Sequence, residues 1–174
     1  MKSLIEILHL NGIKYYFCLF LVNKVFSGTS HFEQKRKLLN SIGFEIGENT
    51  KIVGPIECSG KVIIGSNGWI GKNFKVNGNG TVTIGDNCDI APEVTFQTGG
   101  HLIGNADRRA GDGLIFSQKV GDGTWIGGRT TILNNTSIGK SCVIAGCTCV
   151  IKDVPDNALV GGVPAKLIRM LDND

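Results

Sequence analysis

The chain has 174 residues and a formal net charge of +3, and 41% of its residues are hydrophobic although only 7% are aromatic. A charge this small does not indicate nucleic-acid binding, while the apolar content suffices for one packed domain. Glycine occurs 25 times, which predicts many tight corners. The six cysteines include no C-x-x-C pair and follow no convincing secretory signal, so we expect reduced thiols in a cytoplasmic protein.

Residues 1–41 are predicted to form a helical arm, because apolar residues recur there at helical spacing. The arm is basic, with six Lys and Arg residues against two Glu in residues 1–40. Its segment from Ile13 to Val22 is apolar apart from Lys14, but it is too short for a bilayer, which needs about 20 residues. Two interpretations stay open. The segment packs on the rest of the protein or a neighbouring subunit, or it lies as an interfacial helix on the inner face of a membrane.

From residue 42 to residue 154 the sequence follows a six-residue repeat, with one shift of phase and one loop that leaves it. An aliphatic residue, or in one case Cys58, fills the repeated position, Gly frequently follows it, and a small side chain comes four positions later. A shift of two residues near Val82 to Ile84 predicts a short insertion. The in-phase residues are Ile46, Ile52, Cys58, Ile64, Ile70, Val76 and Val82, and later Val120, Ile126, Ile132, Ile138, Ile144 and Val150.

A period of six fits neither an amphipathic helix nor one long strand. It fits short strands joined by corners, with three repeats closing one triangular coil. Stacked coils pair their strands in parallel, about 4.8 Å apart, so each aliphatic side chain lies over its counterpart in the next coil. We therefore expect an all-β solenoid in which Val120 lies over Ile138 and Ile126 over Ile144. Residues 42–99 would supply about three coils and residues 119–154 two.

Residues 100–118 are predicted to be a loop that leaves the solenoid. Outside Leu102 and the Leu114–Ile115 pair the loop has no aliphatic rhythm. His101 stands at its start, where a regular coil has no structural need for an imidazole, and long loops on a regular scaffold are common sites of function. A neutral imidazole can accept a proton from an attacking hydroxyl, so His101 is a candidate general base.

Residues 155–174 are predicted to turn through Gly161-Gly162-Val163-Pro164 and to end in a short helix from Ala165 to Leu171.

No metal site is expected. A catalytic zinc site on this kind of scaffold needs three converging histidines, and His101 is the one histidine outside the arm. A non-catalytic solenoid, which the ladder of Thr124, Thr130 and Thr136 would allow, leaves the stretch Val120-Gly121-Asp122-Gly123-Thr124-Trp125-Ile126-Gly127-Gly128 without a purpose.

Four motifs resemble the galactoside, maltose and xenobiotic acetyltransferase group of hexapeptide-repeat proteins. The resemblance covers about residues 42–170, and the arm is more similar to that of surface-polysaccharide O-acetyltransferases. It implies a left-handed parallel β-helix, a handedness that the usual right-handed crossover rule would not have predicted. The motifs are Ile84-Gly85-Asp86-Asn87 with Ala91-Pro92, the stretch Val120 to Gly128, the stretch Val150 to Pro155, and the stretch Gly161 to Lys166.

The resemblance also implies acetyl-CoA as co-substrate, bound in a groove between two subunits of a homotrimer, with His101 as catalytic base. The implied CoA contacts are Trp125 at the pantetheine end, Gly127, Gly128, Gly146 and Ile151 through their backbone, and Lys152, Lys166 and Arg169 near the phosphates. The acceptor-binding Asn of the group aligns best with Gly71, and Asn73, Asn77 and Asn79 are alternatives. The candidate acceptor residues are Asn77 and, in the loop, Arg108 and Arg109.

The sequence therefore predicts an acetyl-CoA-dependent O-acetyltransferase that acts on a sugar hydroxyl in surface-polysaccharide biosynthesis. His101 would take the hydroxyl proton, the oxygen would attack the thioester carbonyl, and CoA would leave as a thiolate. Two alternatives stay open: an N-acetyltransferase on an amino sugar or nucleotide sugar, and a small-molecule galactoside or xenobiotic acetyltransferase. A sugar or glycan is the expected partner, and no nucleic acid is expected.

Overall fold

A computed structural model describes the backbone of residues 4–172 and the side chains of residues 12–172. The arm contains helix α1 (Leu4–Phe20), which continues into a π-helical turn (Leu21–Val25), and helix α2 (Phe32–Asn40). No helix in residues 4–172 is long and apolar enough to span a bilayer.

The rest of the chain is a parallel β-solenoid, as the six-residue period predicted. Its first three coils comprise β1 (Glu45–Ile46), β2 (Lys51–Ile52), β3 (Ile56–Cys58), β4 (Lys61–Ile64), β5 (Trp69–Ile70), β6 (Phe74–Asn77), β7 (Thr81–Ile84), β8 (Asp89–Ile90) and β9 (Thr95–Gln97). A hairpin follows, made of β10 (Gly99–Ile103) and β11 (Ala110–Ile115). The later strands are β12 (Ser117–Val120), β13 (Trp125–Ile126), β14 (Thr131–Ile132), β15 (Ser137–Ile138), β16 (Val143–Ile144), β17 (Cys149–Val150), β18 (Ala158–Gly161) and β19 (Lys166–Met170).

The strands stack into three faces of a triangular prism. The first face contains β1, β4, β7, β12 and β15, and the third face contains β3, β6, β9, β14 and β17. The second face contains β2, β5, β8, β13, β16, β18 and β19. The chain visits the faces in this order in every coil, so a corner between the third and first faces ends each coil.

The predicted stacking of aliphatic residues is confirmed. Val120 pairs with Ile138 and Ile126 with Ile144, and all four side chains are buried inside the prism. Across the excursion, Ile84 pairs directly with Val120, so the coils remain adjacent there. These two residues are 36 positions apart, twice the 18 that separate Val120 from Ile138, so the hairpin occupies one coil length of sequence.

The corners explain the small residues of the repeat. A Cβ atom on Gly121 would lie 2.6 Å from the backbone nitrogen of Lys140 in the next coil, and one on Gly127 would lie 2.5 Å from that of Gly146. Real Cβ atoms do not approach backbone atoms this closely. Glycine at these corners is therefore required by the close stacking of coils, independently of any ligand.

The predicted C-terminal helix from Ala165 to Leu171 is wrong. Lys166–Met170 is strand β19, which turns back and pairs antiparallel with β18 through Leu159 opposite Arg169 and Gly161 opposite Lys166. The edge of the second face offers unpaired backbone N–H and C=O groups, and a returning segment satisfies them by adding a strand. This pairing outweighs the helical spacing of the apolar residues.

The arm is fastened to the first coil by polar contacts that are partly or fully buried. The Tyr15 hydroxyl donates to the Cys58 carbonyl at 2.8 Å, and the Asn23 amide exchanges two hydrogen bonds of 2.9 Å with the Ile56 backbone. The buried Lys35 Nζ donates to the carbonyls of Gly28 (2.7 Å) and Val53 (3.0 Å). Burial lowers the pKa of Lys35 from its ordinary value.

Corner crowding leads to a stability prediction. We expect Gly121→Ala to lower the free energy of unfolding by about 1–3 kcal/mol, because the new methyl group must displace the backbone of the next coil. Gly113→Ala is the matched control, since its Cβ would meet no heavy atom within 4 Å, and should change stability by less than about 0.5 kcal/mol. Denaturant unfolding measures both. Equal stability of the two variants would show that corner contact does not limit stability.

Candidate functional site

His101 lies on β10 of the hairpin, and its imidazole is exposed. The His101 Nδ1 atom is 2.9 Å from the carbonyl oxygen of Gly111 on the opposite strand. A carbonyl oxygen only accepts hydrogen bonds, so Nδ1 carries the proton in this contact. In the neutral ring the Nε2 atom then holds the free lone pair. The hairpin thus presents a proton acceptor at its surface in a defined orientation.

The two predicted loop arginines have different surroundings. Arg108 and Asp112 line the same open depression on the hairpin as His101. Arg109 is directed to the hairpin itself, because its guanidinium donates to the Gly104 carbonyl at 3.3 Å. The predicted loop is therefore an ordered hairpin that brings His101 and Arg108 to one surface, while Arg109 supports its tip.

Asn77 lies directly beneath the base of the hairpin. The backbone carbonyl of Asn77 accepts two hydrogen bonds from Thr98, which leads into β10. One comes from the Thr98 backbone nitrogen (2.7 Å) and the other from its hydroxyl (3.0 Å). A Cβ on the adjacent Gly78 would lie 2.7 Å from the Gly99 nitrogen. Gly71 lies instead at the corner between the second and third faces, against Pro92. Of these two positions, Asn77 is the one next to the His101 hairpin.

Gln118 secures the hairpin where it rejoins the solenoid, and the sequence analysis did not identify it. Its buried Nε2 donates to three backbone carbonyls, those of Gln97 (3.1 Å), Ile132 (3.2 Å) and Asn134 (2.9 Å). Gln97 ends the last strand before the hairpin, so this amide ties the exit of the chain to its return. A polar residue at an inward strand position, where Val82 lies one coil below, is the signal that could have revealed it.

Most of the predicted CoA contacts lie on a different side of the prism. Trp125 projects from β13 on the second face and is 54% exposed. The remaining members of this group follow it at the corner between the second and third faces or on the terminal strand β19, and they are Gly127, Gly128, Gly146, Lys166 and Arg169.

Ile151 and Lys152 do not join that group. They follow β17 at the corner between the third and first faces, two coils beyond the corner that carries the hairpin. The Ile151 carbonyl accepts a hydrogen bond of 3.2 Å from the Asn134 side chain, and Lys152 is exposed. In a triangular prism this corner is opposite the second face. A single chain therefore does not bring His101 together with Trp125.

Metal-binding side chains do not cluster in the part of the chain that the structure describes. No group of three or more His, Cys, Asp or Glu residues is arranged there to hold a metal ion. The buried cysteines serve as core residues, and burial raises the pKa of the Cys58 thiol to about 12. Its thiol stays protonated near neutral pH.

Comparison with known proteins relates the chain to acetyltransferases, although no family profile matches it. It is 35% identical over 153 residues to the galactoside O-acetyltransferase of Escherichia coli K12, and the aligned region spans 84% of this chain and 73% of that protein. A solved galactoside acetyltransferase in complex with coenzyme A superposes with a TM-score of 0.80 at 28% identity, covering 99% of this chain and 86% of that one.

A second solved relative is a hexapeptide-repeat acetyltransferase of Vibrio cholerae in complex with acetyl coenzyme A. It superposes with a TM-score of 0.82 at 27% identity, covering 98% of this chain and 92% of that one. These matches confirm the left-handed parallel β-helix that the motif resemblance implied.

Proposed function

The chain belongs to the hexapeptide-repeat acetyltransferases of the galactoside and maltose O-acetyltransferase type, and from that premise we propose that it acetylates a sugar hydroxyl. It is an acyltransferase, and acetyl-CoA is its co-substrate. The observation that carries the proposal is the His101–Gly111 hydrogen bond, because in the neutral imidazole it places the proton on Nδ1 and the lone pair on the exposed Nε2 side. A group of this kind can act as a general base toward a hydroxyl nucleophile.

In the proposed mechanism His101 Nε2 accepts the proton of the acceptor hydroxyl as its oxygen attacks the acetyl carbonyl. The new C–O bond forms, the C–S bond breaks, and CoA leaves as a thiolate that takes up a proton. The Gly111 carbonyl stabilises the imidazolium by accepting a hydrogen bond from its Nδ1–H group. Arg108, in the same depression, would hold a polar acceptor group, and Asn77, whose backbone carbonyl anchors Thr98 beneath the hairpin, would contact the acceptor from below.

We propose that the complete site forms between subunits of a homotrimer. His101 and Trp125 lie on opposite sides of one prism. A site that needs a base from the hairpin and a CoA wall from the second face must therefore combine two chains. In a closed threefold ring, the hairpin of each subunit meets the second face of the next, which gives three identical sites. Lys166 and Arg169 at the end of that face would then approach the CoA phosphates.

We further propose that the arm rests on an anionic membrane surface and that the acceptor is a precursor of a surface polysaccharide there. One side of α1 packs on the solenoid through Tyr15. The other side exposes Ile13, Tyr16, Phe17 and Phe20, a stripe at helical spacing with each side chain at least 55% exposed. The arm carries six Lys and Arg residues against two Glu in residues 1–40. An apolar stripe on a basic segment is typical of interfacial helices.

His101→Ala is expected to reduce acetyl transfer at least about 100-fold, the usual contribution of a general base. Release of CoA thiol with a panel of galactosides, maltose, amino sugars and nucleotide sugars measures transfer, and identifies an O- or N-acceptor. CoA binding should be retained, because His101 does not build the CoA groove. His31→Asn is the control: His31 is an exposed arm residue with a left-handed backbone that Asn also accepts. A fully active His101→Ala enzyme would rule out His101 as the base.

Mixed trimers test the site between subunits. His101→Ala and Trp125→Ala chains should each be weakly active alone, while co-expressed chains should recover about a quarter of wild-type activity, because a quarter of the interfaces then pair an intact His101 with an intact Trp125. Differently tagged chains allow the hybrids to be purified, and these should show about a third of wild-type activity, because each hybrid trimer has one intact interface in three. Hybrids no more active than the two single variants would show that the site does not combine these residues from two chains.

Vesicle flotation tests whether the arm binds an anionic membrane surface. The protein should float with vesicles that contain phosphatidylglycerol and much less with pure phosphatidylcholine, because apolar insertion and charge attraction act together. Phe17→Ser with Phe20→Ser should abolish flotation while leaving the folded solenoid intact. Flotation that persists in this double variant, or that is absent with anionic vesicles, would contradict membrane binding by the stripe.

A further inference from the structure

One column of outward side chains on the second face has an unusual composition. The column runs through successive coils in strict register: Lys51 pairs with Trp69, Trp69 with Asp89, Asp89 with Trp125, and Trp125 with Val143. The chain contains two tryptophans, and both are in this column. They flank a single carboxylate, with their strands about 9.6 Å apart, which is two strand spacings.

These three side chains share one surface depression. Trp69, Asp89 and Trp125 line it together with Ile90, Ala91 and Pro92. Asp89 is exposed, and among the described residues its carboxylate enters no ion pair. Packing inside the prism does not account for the column, because its side chains point away from the core.

Trp69 is held in place by the arm. Phe32 of α2 contacts the Trp69 indole edge to face, with ring centroids 5.8 Å apart. The Lys35 ammonium lies 4.8 Å from the Phe32 ring centroid, and its hydrogen bonds to Gly28 and Val53 fix it in turn. The Trp69 indole is thus already held in one orientation. Binding of a ligand against it therefore costs little further side-chain entropy of Trp69.

We propose that Trp69 and Asp89 form a saccharide-binding subsite that holds the acceptor next to Trp125. Indole faces pack against the apolar C–H face of a sugar ring, and a carboxylate accepts hydrogen bonds from neighbouring hydroxyls. The Trp69 indole beside the Asp89 carboxylate offers a sugar ring both kinds of contact. The proposal rests on the proposed function, since Trp125 is where the pantetheine end of CoA would lie. Trp69 and Asp89 then extend the site away from CoA, along the second face.

The two tryptophans allow a direct binding test. In Trp125→Phe the emission reports on Trp69, and in Trp69→Phe it reports on Trp125. Titration with methyl β-galactoside and with maltose, without CoA, should change the Trp69 emission. Asp89→Asn in the Trp125→Phe background should weaken the apparent affinity about tenfold, the usual effect of losing a charge-assisted hydrogen bond. Titration with CoA should instead change the Trp125 emission.

Steady-state kinetics provide a second measurement of sugar binding by Trp69 and Asp89. Trp69→Ala and Asp89→Asn should each raise KM for the sugar about tenfold while KM for acetyl-CoA stays within about twofold. Ile63→Ala is the matched control, because Ile63 points outward in the same coil but from the first face. It should leave both KM values unchanged.

The outcomes separate this subsite from the proposed function. Trp69 emission that responds to neither sugar, or variants that raise both KM values equally, would overturn the subsite even if acetyl transfer occurs. Sugar binding at Trp69 that Asp89→Asn weakens supports the subsite. If it occurs without any acetyl transfer to a sugar, the subsite stands as a binding site while the proposed sugar O-acetylation fails.

Discussion

Each coil of the β-helix is held by backbone hydrogen bonds to the coil below, and this stacking fixes nearly every other feature. The ladder needs each residue to meet its counterpart one coil away, so inward positions select aliphatic side chains such as Ile126 over Ile90. It also brings corners so close that a Cβ on Gly127 would strike the next coil. The same register aligns outward side chains, which is how Trp69, Asp89 and Trp125 come to form one column.

The rigid prism also divides the chemistry between places that a single chain cannot join. The proposed base, His101, is on a hairpin at the corner between the third and first faces, and Trp125, the proposed wall of the CoA site, is on the second face. A flexible fold could bend to unite them, but a hydrogen-bonded prism cannot. Assembly is then part of building the proposed site. The arm, anchored by the buried Lys35, extends the second face through its contact with Trp69.

The sequence predicted the solenoid well because one inward-pointing aliphatic position recurs in every six residues of such a fold. It singled out His101 as a candidate because an imidazole at the exit of a regular scaffold has no packing role, and the catalytic role of His101 stays a prediction. It failed at Lys166–Met170, where helical spacing is local but the partner β18 is not. It missed Gln118, whose three hydrogen bonds depend on where the hairpin rejoins the coil. The Trp69–Asp89–Trp125 column requires the register across the excursion, which spacing alone did not reveal.

The hairpin leaves the third face after Gln97 and re-enters one rung higher, with Ile84 still under Val120. Its removal would therefore shorten the chain by one coil length without shifting any strand, and a hairpin of another length would leave the same ladder in place. Under the proposed function, the hairpin residues that contact an acceptor can vary in number and kind while the core below is unchanged. In evolutionary terms, the scaffold and its reactive loop are separable, so new acceptor preferences can be acquired without a cost in foldability.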